Sequence, residues 1–349
     1  MDNEKKIIDI NNIKQNILPK FFLDNAQITM VKFKDTSKQR AVFKVTLNQK
    51  NYCLKKVYYN EESLLFVYSA MEWLYRNNLN VPRLLPSKNN SRFVLFNNMI
   101  FILTPWVAGD KCDFDNSTHI NLSCQTLGKI HKVSKNFFPI EGSTKREGLE
   151  DFHLSTSKHF NQLLENANYA NNIKDRFSNI YLNNLDYNLD LAKLSLEISS
   201  TIDSSDLSTS LCHGDYVNKN IIIDNKDNVF IIDFDKCKYD YSSYDISYFL
   251  RRLLKRPTTN WDVQITIDVL NSYLKENTLT PSDFKYILAY LAFPQKYWKI
   301  SRDYYKNIKK CNKKSFVTLL EKGLERTANQ LEYVNNMIII LEKYYNVKF

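Results

Sequence analysis

Three oxygen-bearing side chains lie close together in this sequence, in an order that suits phosphate chemistry. They fall in Leu211-Cys212-His213-Gly214-Asp215-Tyr216-Val217-Asn218-Lys219-Asn220 and in the following Ile232-Asp233-Phe234-Asp235. A turn can present Asp215, and five residues on Asn220 can present an amide oxygen. A strand over residues 221–224, a turn over 225–228 and a strand over 229–234 can then return Asp233 beside Asn220. Such a unit offers one carboxylate to receive a proton and two oxygen ligands for Mg2+, which prefers carboxylate or amide oxygens together with phosphates and water. Phosphoryl transfer needs little more from a protein, beyond a cation on the phosphates.

The step from Asp215 to Asn220 equals that of the H-R-D-x-x-x-x-N loop of protein kinases. The segment itself resembles the H-G-D-x-x-x-x-N loop of aminoglycoside phosphotransferases and choline kinases. That resemblance implies Asp215 as catalytic base, His213 as a supporting residue of the catalytic loop, Asn220 and Asp233 as ligands of Mg2+, and ATP as the donor. Asp245, in Tyr244-Asp245-Ile246-Ser247, resembles the D-[IL]-[AS] element of the same families and is expected to brace the loop. Asp233-Phe234-Asp235 stands where protein kinases have D-F-G, and no A-P-E follows. No protein-kinase activation segment is recognisable, which favours a small-molecule acceptor.

The elements around these residues read as a small sheet followed by helices. Residues 26–31, 41–47 and 52–58 alternate or cluster apolar side chains at strand length. A helix follows, with Asn60 as N-cap and Glu61 and Glu62 in its first turn. Residues 93–96 and 99–103 flank Asn97-Asn98, two residues that tolerate positive φ, and so read as a tight hairpin. The first lobe is therefore expected to be a five-stranded antiparallel sheet with one helix after strand three. Beyond it, helices are expected at 120–133, within 177–198, and at 243–255, 261–276, 283–291, 295–308 and 316–344. The fold class is α+β, a bilobal protein-kinase-like fold. Residues 1–104 would form the nucleotide-binding lobe, 105–110 the hinge and 111–349 the helical lobe, with the catalytic loop at 211–235.

Within that frame Lys55 or Lys56 of strand three would reach the phosphates, since alternation points one inward and one outward. Leu54-Lys55 matches the family pattern and favours Lys55. Its glutamate should come from the next helix, where Glu61, Glu62 and Glu72 are available, and Glu62 is the choice. The connector Pro105-Trp106-Val107 would offer backbone groups to adenine. The loop of residues 34–40 would cover the phosphates, yet it has no glycine. Close backbone approach is harder without one.

A closer resemblance runs from about residue 25 to 345. Tyr52-Cys53-Leu54-Lys55, Phe66-Val67-Tyr68-Ser69-Ala70-Met71, Val81-Pro82, Leu103-Thr104-Pro105-Trp106-Val107-Ala108-Gly109, Tyr244-Asp245-Ile246-Ser247-Tyr248-Phe249-Leu250-Arg251-Arg252 and Phe293-Pro294-Gln295-Lys296-Tyr297-Trp298 are similar in type and order to the CotS-type spore-coat family. The resemblance implies an endospore-forming bacterium, synthesis in the cytoplasm, a place in the spore coat and other coat proteins as partners. It fixes no acceptor; a small hydroxylated or amino metabolite, such as a sugar, is expected. The alternative is a catalytically weak or inactive kinase-like protein that serves coat assembly.

Bulk properties narrow the remaining classes. The chain has 349 residues with 44% hydrophobic and 25% charged residues, enough for two lobes with their own cores. The net charge is +10, but basic residues are scattered and their densest cluster spans 306–314, so nucleic acid is the least favoured partner. The six cysteines form no C-x-x-C pair and no zinc spacing, and read as reduced thiols. The charged start of the chain is not followed by the apolar core of a signal peptide, and apolar runs such as 286–293 are too short to span a bilayer.

Overall fold

Alternating apolar residues draw the first strands into a sheet. β1 (Gln27–Lys34), β2 (Arg40–Leu47), β3 (Lys50–Lys56), β4 (Val94–Phe96) and β5 (Met99–Pro105) form one antiparallel sheet in the order β1-β2-β3-β5-β4. The computed structural model describes residues 8–34 and 40–349; all but the two end residues of the expected phosphate-covering loop, 34–40, and the charged N-terminus lie outside them. Phe43, Val45, Leu54, Phe101 and Leu103 join one buried cluster. Burying each large apolar side chain contributes about 1.5–3 kcal/mol relative to exposure. The cluster is closed by Ile13 of a short helix α1 (Ile10–Asn16), by Ile17, and by Leu18 and Phe21 of a 3-10 turn. These pieces were not expected from sequence, because one or two turns are too short for a 3.6-residue period to show.

Helix α2 (Glu61–Arg76) starts as expected: the Asn60 side chain accepts from the Ser63 N–H, and Glu61 and Glu62 occupy the first turn. Asn97 and Asn98 take φ of 48° and 60°, giving the β4–β5 hairpin its tight turn.

Packing divides the chain into two units that interleave in sequence. The strand-rich unit comprises residues 1–113, 132–147 and 213–238, so it includes the catalytic loop and hairpin. Residues 132–147 are tied to α2 by the Trp73 indole N–H, which donates to the Val133 carbonyl at 2.8 Å, and by the Thr144 N–H, which donates to the Glu62 carbonyl. A second sheet in this unit has the order β6-β8-β9, from β6 (Asp110–Lys111), β8 (Ile221–Ile223) and β9 (Val229–Ile231), while β7 (Thr209–Cys212) belongs to the other unit. Gly109 precedes β6 at φ 132°, and a Cβ there would lie 2.6 Å from the Ile223 carbonyl oxygen.

The other unit comprises residues 114–131, 148–212 and 239–349. Its helices are most of α3 (Ser117–Val133), then α4 (Phe152–Ile173), α5 (Arg176–Asn183), α6 (Leu185–Ser200), α7 (Ser242–Leu254), α8 (Val263–Leu274), α9 (Pro281–Ala292), α10 (Gln295–Lys306), α11 (Lys313–Leu324) and α12 (Thr327–Tyr345). Tyr181 stacks on Tyr297 with ring centroids 4.4 Å apart, and Phe177 stacks on Tyr304 at 3.8 Å. α4 escaped the sequence reading because Asn and Ser interrupt its apolar stripe. The long helix expected at 316–344 is two helices broken at Glu325 and Arg326, just after Gly323, a poor helix former. No helix among the described residues is long and apolar enough to cross a membrane. All six cysteines are free thiols.

Candidate active site

The β8–β9 hairpin sets the spacing of the expected chemistry. Asp224 closes its turn by accepting from the N–H groups of Lys226 and Asn228. The Asn220 carbonyl then accepts from the Ile232 N–H at 3.0 Å, so residue 233 emerges next to residue 220. Asn220 is buried, and its side-chain NH2 donates to the Asp215 carbonyl at 2.9 Å. That bond takes one of the two amide N–H donors and leaves the amide oxygen as the acceptor.

His213 pins the turn from the other side. Its Nδ1 accepts from the Asp215 N–H at 3.2 Å, while Nε2 lies 3.0 Å from the Ile232 carbonyl oxygen. Only the tautomer with hydrogen on Nε2 satisfies both contacts. Gly214 between them has φ 73°, and a Cβ there would meet the Lys236 carbonyl oxygen at 2.4 Å. The glycine is required by both conformation and space.

Asp215 is 8% exposed. Lys236 Nζ lies 3.5 Å from one of its oxygens and Lys219 Nζ 3.5 Å from the other. Burial raises the Asp215 carboxyl, but Lys236 and Lys219 outweigh it and hold the group below the ordinary carboxylate value. The carboxylate is therefore ionised at neutral pH and able to accept a hydrogen bond from a hydroxyl.

Asp233 adopts the left-handed conformation, φ 68° and ψ 60°. That region costs a non-glycine residue about 1 kcal/mol, and here it falls on a candidate metal ligand. Lys55 Nζ donates to Asp233 Oδ1 at 2.5 Å and lies 2.8 Å from Asp235 Oδ1. Burial raises the Asp233 carboxyl, yet Lys55 outweighs it and holds it at about 2. Burial likewise depresses the Lys55 ammonium, but Asp235 and Asp233 outweigh that and raise it above the ordinary lysine value. Asp235 also accepts from the Tyr59 hydroxyl at 3.3 Å and pairs with Arg40 at 3.7 Å, while Arg146 donates to its carbonyl.

The structure thus brings together His213, Asp215, Asn220, Asp233 and Lys55. It does not bring Glu62 to Lys55. Glu62 accepts instead from the Thr144 hydroxyl at 3.2 Å on an exposed face, and Glu72 pairs with Arg83 at 2.8 Å. The carboxylate partners of Lys55 are Asp233 and Asp235, because the hairpin reaches β3 while the first turn of α2 faces residues 140–147. In the connector, Pro105 lacks an N–H and the Trp106 N–H donates to the Asn51 carbonyl at 3.0 Å. Among the described residues the Val107 N–H has no backbone acceptor. The Trp106 ring is half-exposed beneath Lys44, whose Nζ lies 5.3 Å from its centroid. Sequence reading missed Lys219, Lys236, Tyr59 and Arg146. Of these only Lys219, at i+4 from Asp215, carried a signal. Asp245 is fully buried in the helical unit with its carboxylate 3.6 Å from His131 Nε2.

Comparison with known proteins bears on the family and the fold. The model of the phosphotransferase enzyme family (APH) matches residues 30–276. Spore coat protein S of Bacillus subtilis (strain 168) is 22% identical over 292 residues, covering 81% of this chain and 82% of that protein. This bears out the resemblance to CotS-type proteins read from the sequence. An aminoglycoside phosphotransferase from Alicyclobacillus acidocaldarius superposes with a TM-score of 0.77 at 17% identity, covering 94% of this chain and 96% of that one. An amicoumacin kinase in complex with AMP-PNP, Ca2+ and Ami gives a TM-score of 0.63 at 15% identity, covering 96% of each chain. The α+β, protein-kinase-like fold expected from sequence is thereby established, and the chain belongs to the phosphotransferase enzyme family.

Proposed function

We propose that this protein is an ATP-dependent phosphotransferase that moves the γ-phosphoryl group of ATP to a hydroxyl or amine of a small metabolite. The observation that carries the reading is the joint placement of Asp215, Asn220, Asp233 and Lys55 on one loop, one hairpin and one strand. Asn220 and Asp233 fit Mg2+: the amide oxygen is left unspent by its own NH2 bond, the Asp233 carboxylate stays ionised, and both are hard oxygen donors. When bound, Mg2+ would neutralise phosphate charge. Lys55 binds and orients phosphate oxygens, the Val107 N–H receives the adenine edge, and Asp215 holds the acceptor and takes its proton. Lys219 and Lys236 keep Asp215 ionised and add positive charge beside the transferred group. A place in the spore coat, with coat proteins as partners, rests on the likeness to Spore coat protein S.

Differential thermal stability with Mg·ATP, followed by a metabolite screen for phosphate transfer, tests this reading. Ligand at a hundred times its Kd stabilises by about 2.7 kcal/mol. Wild type should gain stability with Mg·ATP, Asp233→Asn should lose the gain, and Asp215→Asn should keep the gain but lose turnover. Unchanged turnover in Asp215→Asn would remove it as the base.

A second reading, a kinase-like coat protein with little catalysis, is favoured by the closure of Lys55 between two carboxylates. Robust turnover with an identified acceptor would exclude it.

A further inference from the structure

The helical unit contains a cavity of about 280 Å³ built from none of the groups assigned above. Arg251, Arg252 and Lys255 of α7 line it, with Lys296 and Lys299 of α10 and Arg326 ahead of α12. Seven of its lining residues are Lys or Arg, and none is Asp or Glu. In the linear sequence these cations are spread over 76 positions, from Arg251 to Arg326, so only the fold gathers them.

Among the described residues five of these seven cations, all but Arg252 and Arg326, have no carboxylate within ion-pair distance. The Arg251 guanidinium donates to Gln295 Oε1 and the Tyr290 carbonyl, and stacks 3.8 Å from the Tyr290 ring, all neutral partners. Arg252 donates to the Tyr248 hydroxyl at 2.9 Å. Arg326 pairs with Glu325 at 3.1 Å, a residue outside the cavity wall. Lys255, Lys296, Lys299 and Lys322 have no carboxylate within ion-pair distance among the described residues. Burial, then Arg252, Lys296 and Arg251, bring the Lys255 ammonium down to about 8, the mark of cations gathered without counter-charge. Two helix N-termini add to the field. α10 begins after Pro294 and α12 after Arg326, and neither carries a side-chain cap. Uncapped N-termini present free N–H groups and partial positive charge.

We infer that this cavity binds a compact polyanion, a small molecule bearing two or more phosphate groups. A cavity of about 280 Å³ is near the lower end of small-molecule pockets, room for a metabolite rather than a nucleic-acid strand. Arginine offers paired donors to phosphate and lysine a mobile charge, so the mixed wall suits several phosphates at once.

Titration calorimetry with inorganic pyrophosphate and tripolyphosphate, without magnesium, tests the inference. The triple variant Lys296→Gln, Lys299→Gln, Lys322→Gln alters exposed cavity residues, and the control Lys309→Gln, Lys310→Gln, Lys314→Gln removes the same charge outside the cavity. The cavity variant should bind about tenfold or more weakly, from three lost charge contacts. The control, and Lys55→Met in the candidate active site, should bind as wild type. No binding by wild type, equal weakening in both triple variants, or weakening confined to Lys55→Met would each overturn the assignment. Tighter binding of a single-stranded oligonucleotide than of tripolyphosphate, abolished by the cavity variant, would replace the small anion with nucleic acid.

Discussion

Gly214→Ala isolates what the catalytic turn demands of the backbone, and Gly142→Ala is its control. Both glycines have positive φ, 73° and 82°. Forcing an alanine into that region costs about 1–2 kcal/mol wherever it occurs. The surroundings then separate the two. A Cβ at Gly142 meets only the Leu65 Cδ1 at 3.6 Å, an ordinary contact. At Gly214 the Cβ would lie 2.4 Å from the Lys236 carbonyl oxygen and 3.1 Å from its carbon, so backbone must move. Displacing that turn disturbs the His213 contacts, the Lys236–Asp215 pair and the position of Asp215. A total cost of about 2–4 kcal/mol is expected for Gly214→Ala against about 1–2 for the control. With unfolding entropy of about 2.1 cal/mol/K per residue, each kcal/mol lowers Tm by roughly 1.5 °C in a chain this long. Thermal unfolding should therefore show a drop of roughly 3–6 °C for Gly214→Ala and 1.5–3 °C for Gly142→Ala. Turnover, once an acceptor is found, should fall by about 100-fold only in the former, as expected for a misplacement near 1 Å. Equal effects of the two substitutions on stability and turnover would refute the argument from the Lys236 carbonyl.

Lys55→Met should destabilise by about 3 kcal/mol, since it leaves Asp233 and Asp235 without their shared cation, and thermal unfolding reads the loss. Glu62→Gln should change stability by less than about 0.5 kcal/mol and leave the Mg·ATP shift intact; a loss of that shift matching Lys55→Met would restore Glu62 as the lysine's partner. Asp235→Asn should tighten Mg·ATP binding by about tenfold, because the anion that competes with phosphate for Lys55 is removed, and calorimetry would show an unchanged Kd if Asp235 does not compete with phosphate. The Asp233 carboxyl is depressed to about 2, so its contribution is complete above the ordinary carboxyl value near 4 and is lost as pH falls from about 4 toward 2. Asp175, also held at about 2, titrates in the same window, so urea midpoints of Asp233→Asn should fall less steeply there than those of wild type without becoming flat.

What the sequence disclosed about the site follows the distance over which each relation acts. Asp215, Asn220 and Asp233 were legible because a turn and a hairpin place them with respect to one another without help from the rest of the chain. Alternation in strand three left Lys55 and Lys56 both open, and only the likeness of Leu54-Lys55 to the family pattern chose between them; Lys55 pairs with Val42 on one side and Ile102 on the other. Glu62 was misread because its destination depends on how α2 lies against residues 132–147, and no pattern within α2 encodes that. Lys236 was missed for a similar reason. Its ammonium meets Asp215 only after the 3-10 turn Phe234–Lys236 that follows the left-handed Asp233. The five-stranded sheet was read nearly to its ends from alternation and the Asn97-Asn98 turn, whereas α4 was hidden by its Asn and Ser content.

The two readings of function meet at the third residue of Asp233-Phe234-Asp235. A glycine there would leave Lys55 facing one carboxylate. Aspartate makes it two, and Arg40 at 3.7 Å brings the local count of Lys55, Arg40, Asp233 and Asp235 to zero. A cluster with no net charge holds together in the absence of any ligand, although Asp235 Oδ2 is buried without a hydrogen bond. The same neutrality weakens the attraction for a phosphate, since an incoming oxygen must displace Asp235 from a contact of 2.8 Å. Asp215, by contrast, is surrounded by Lys219 and Lys236 and retains a net positive environment. In the proposed reaction the Asp215 side would therefore favour an anion in transit, while the Lys55 side is closed by its own carboxylate. Under the function we propose, chemistry and binding fall to different residues, Asp215 for the one and Lys55 with Asp235 for the other, so Asp235 can tune nucleotide affinity without touching the base.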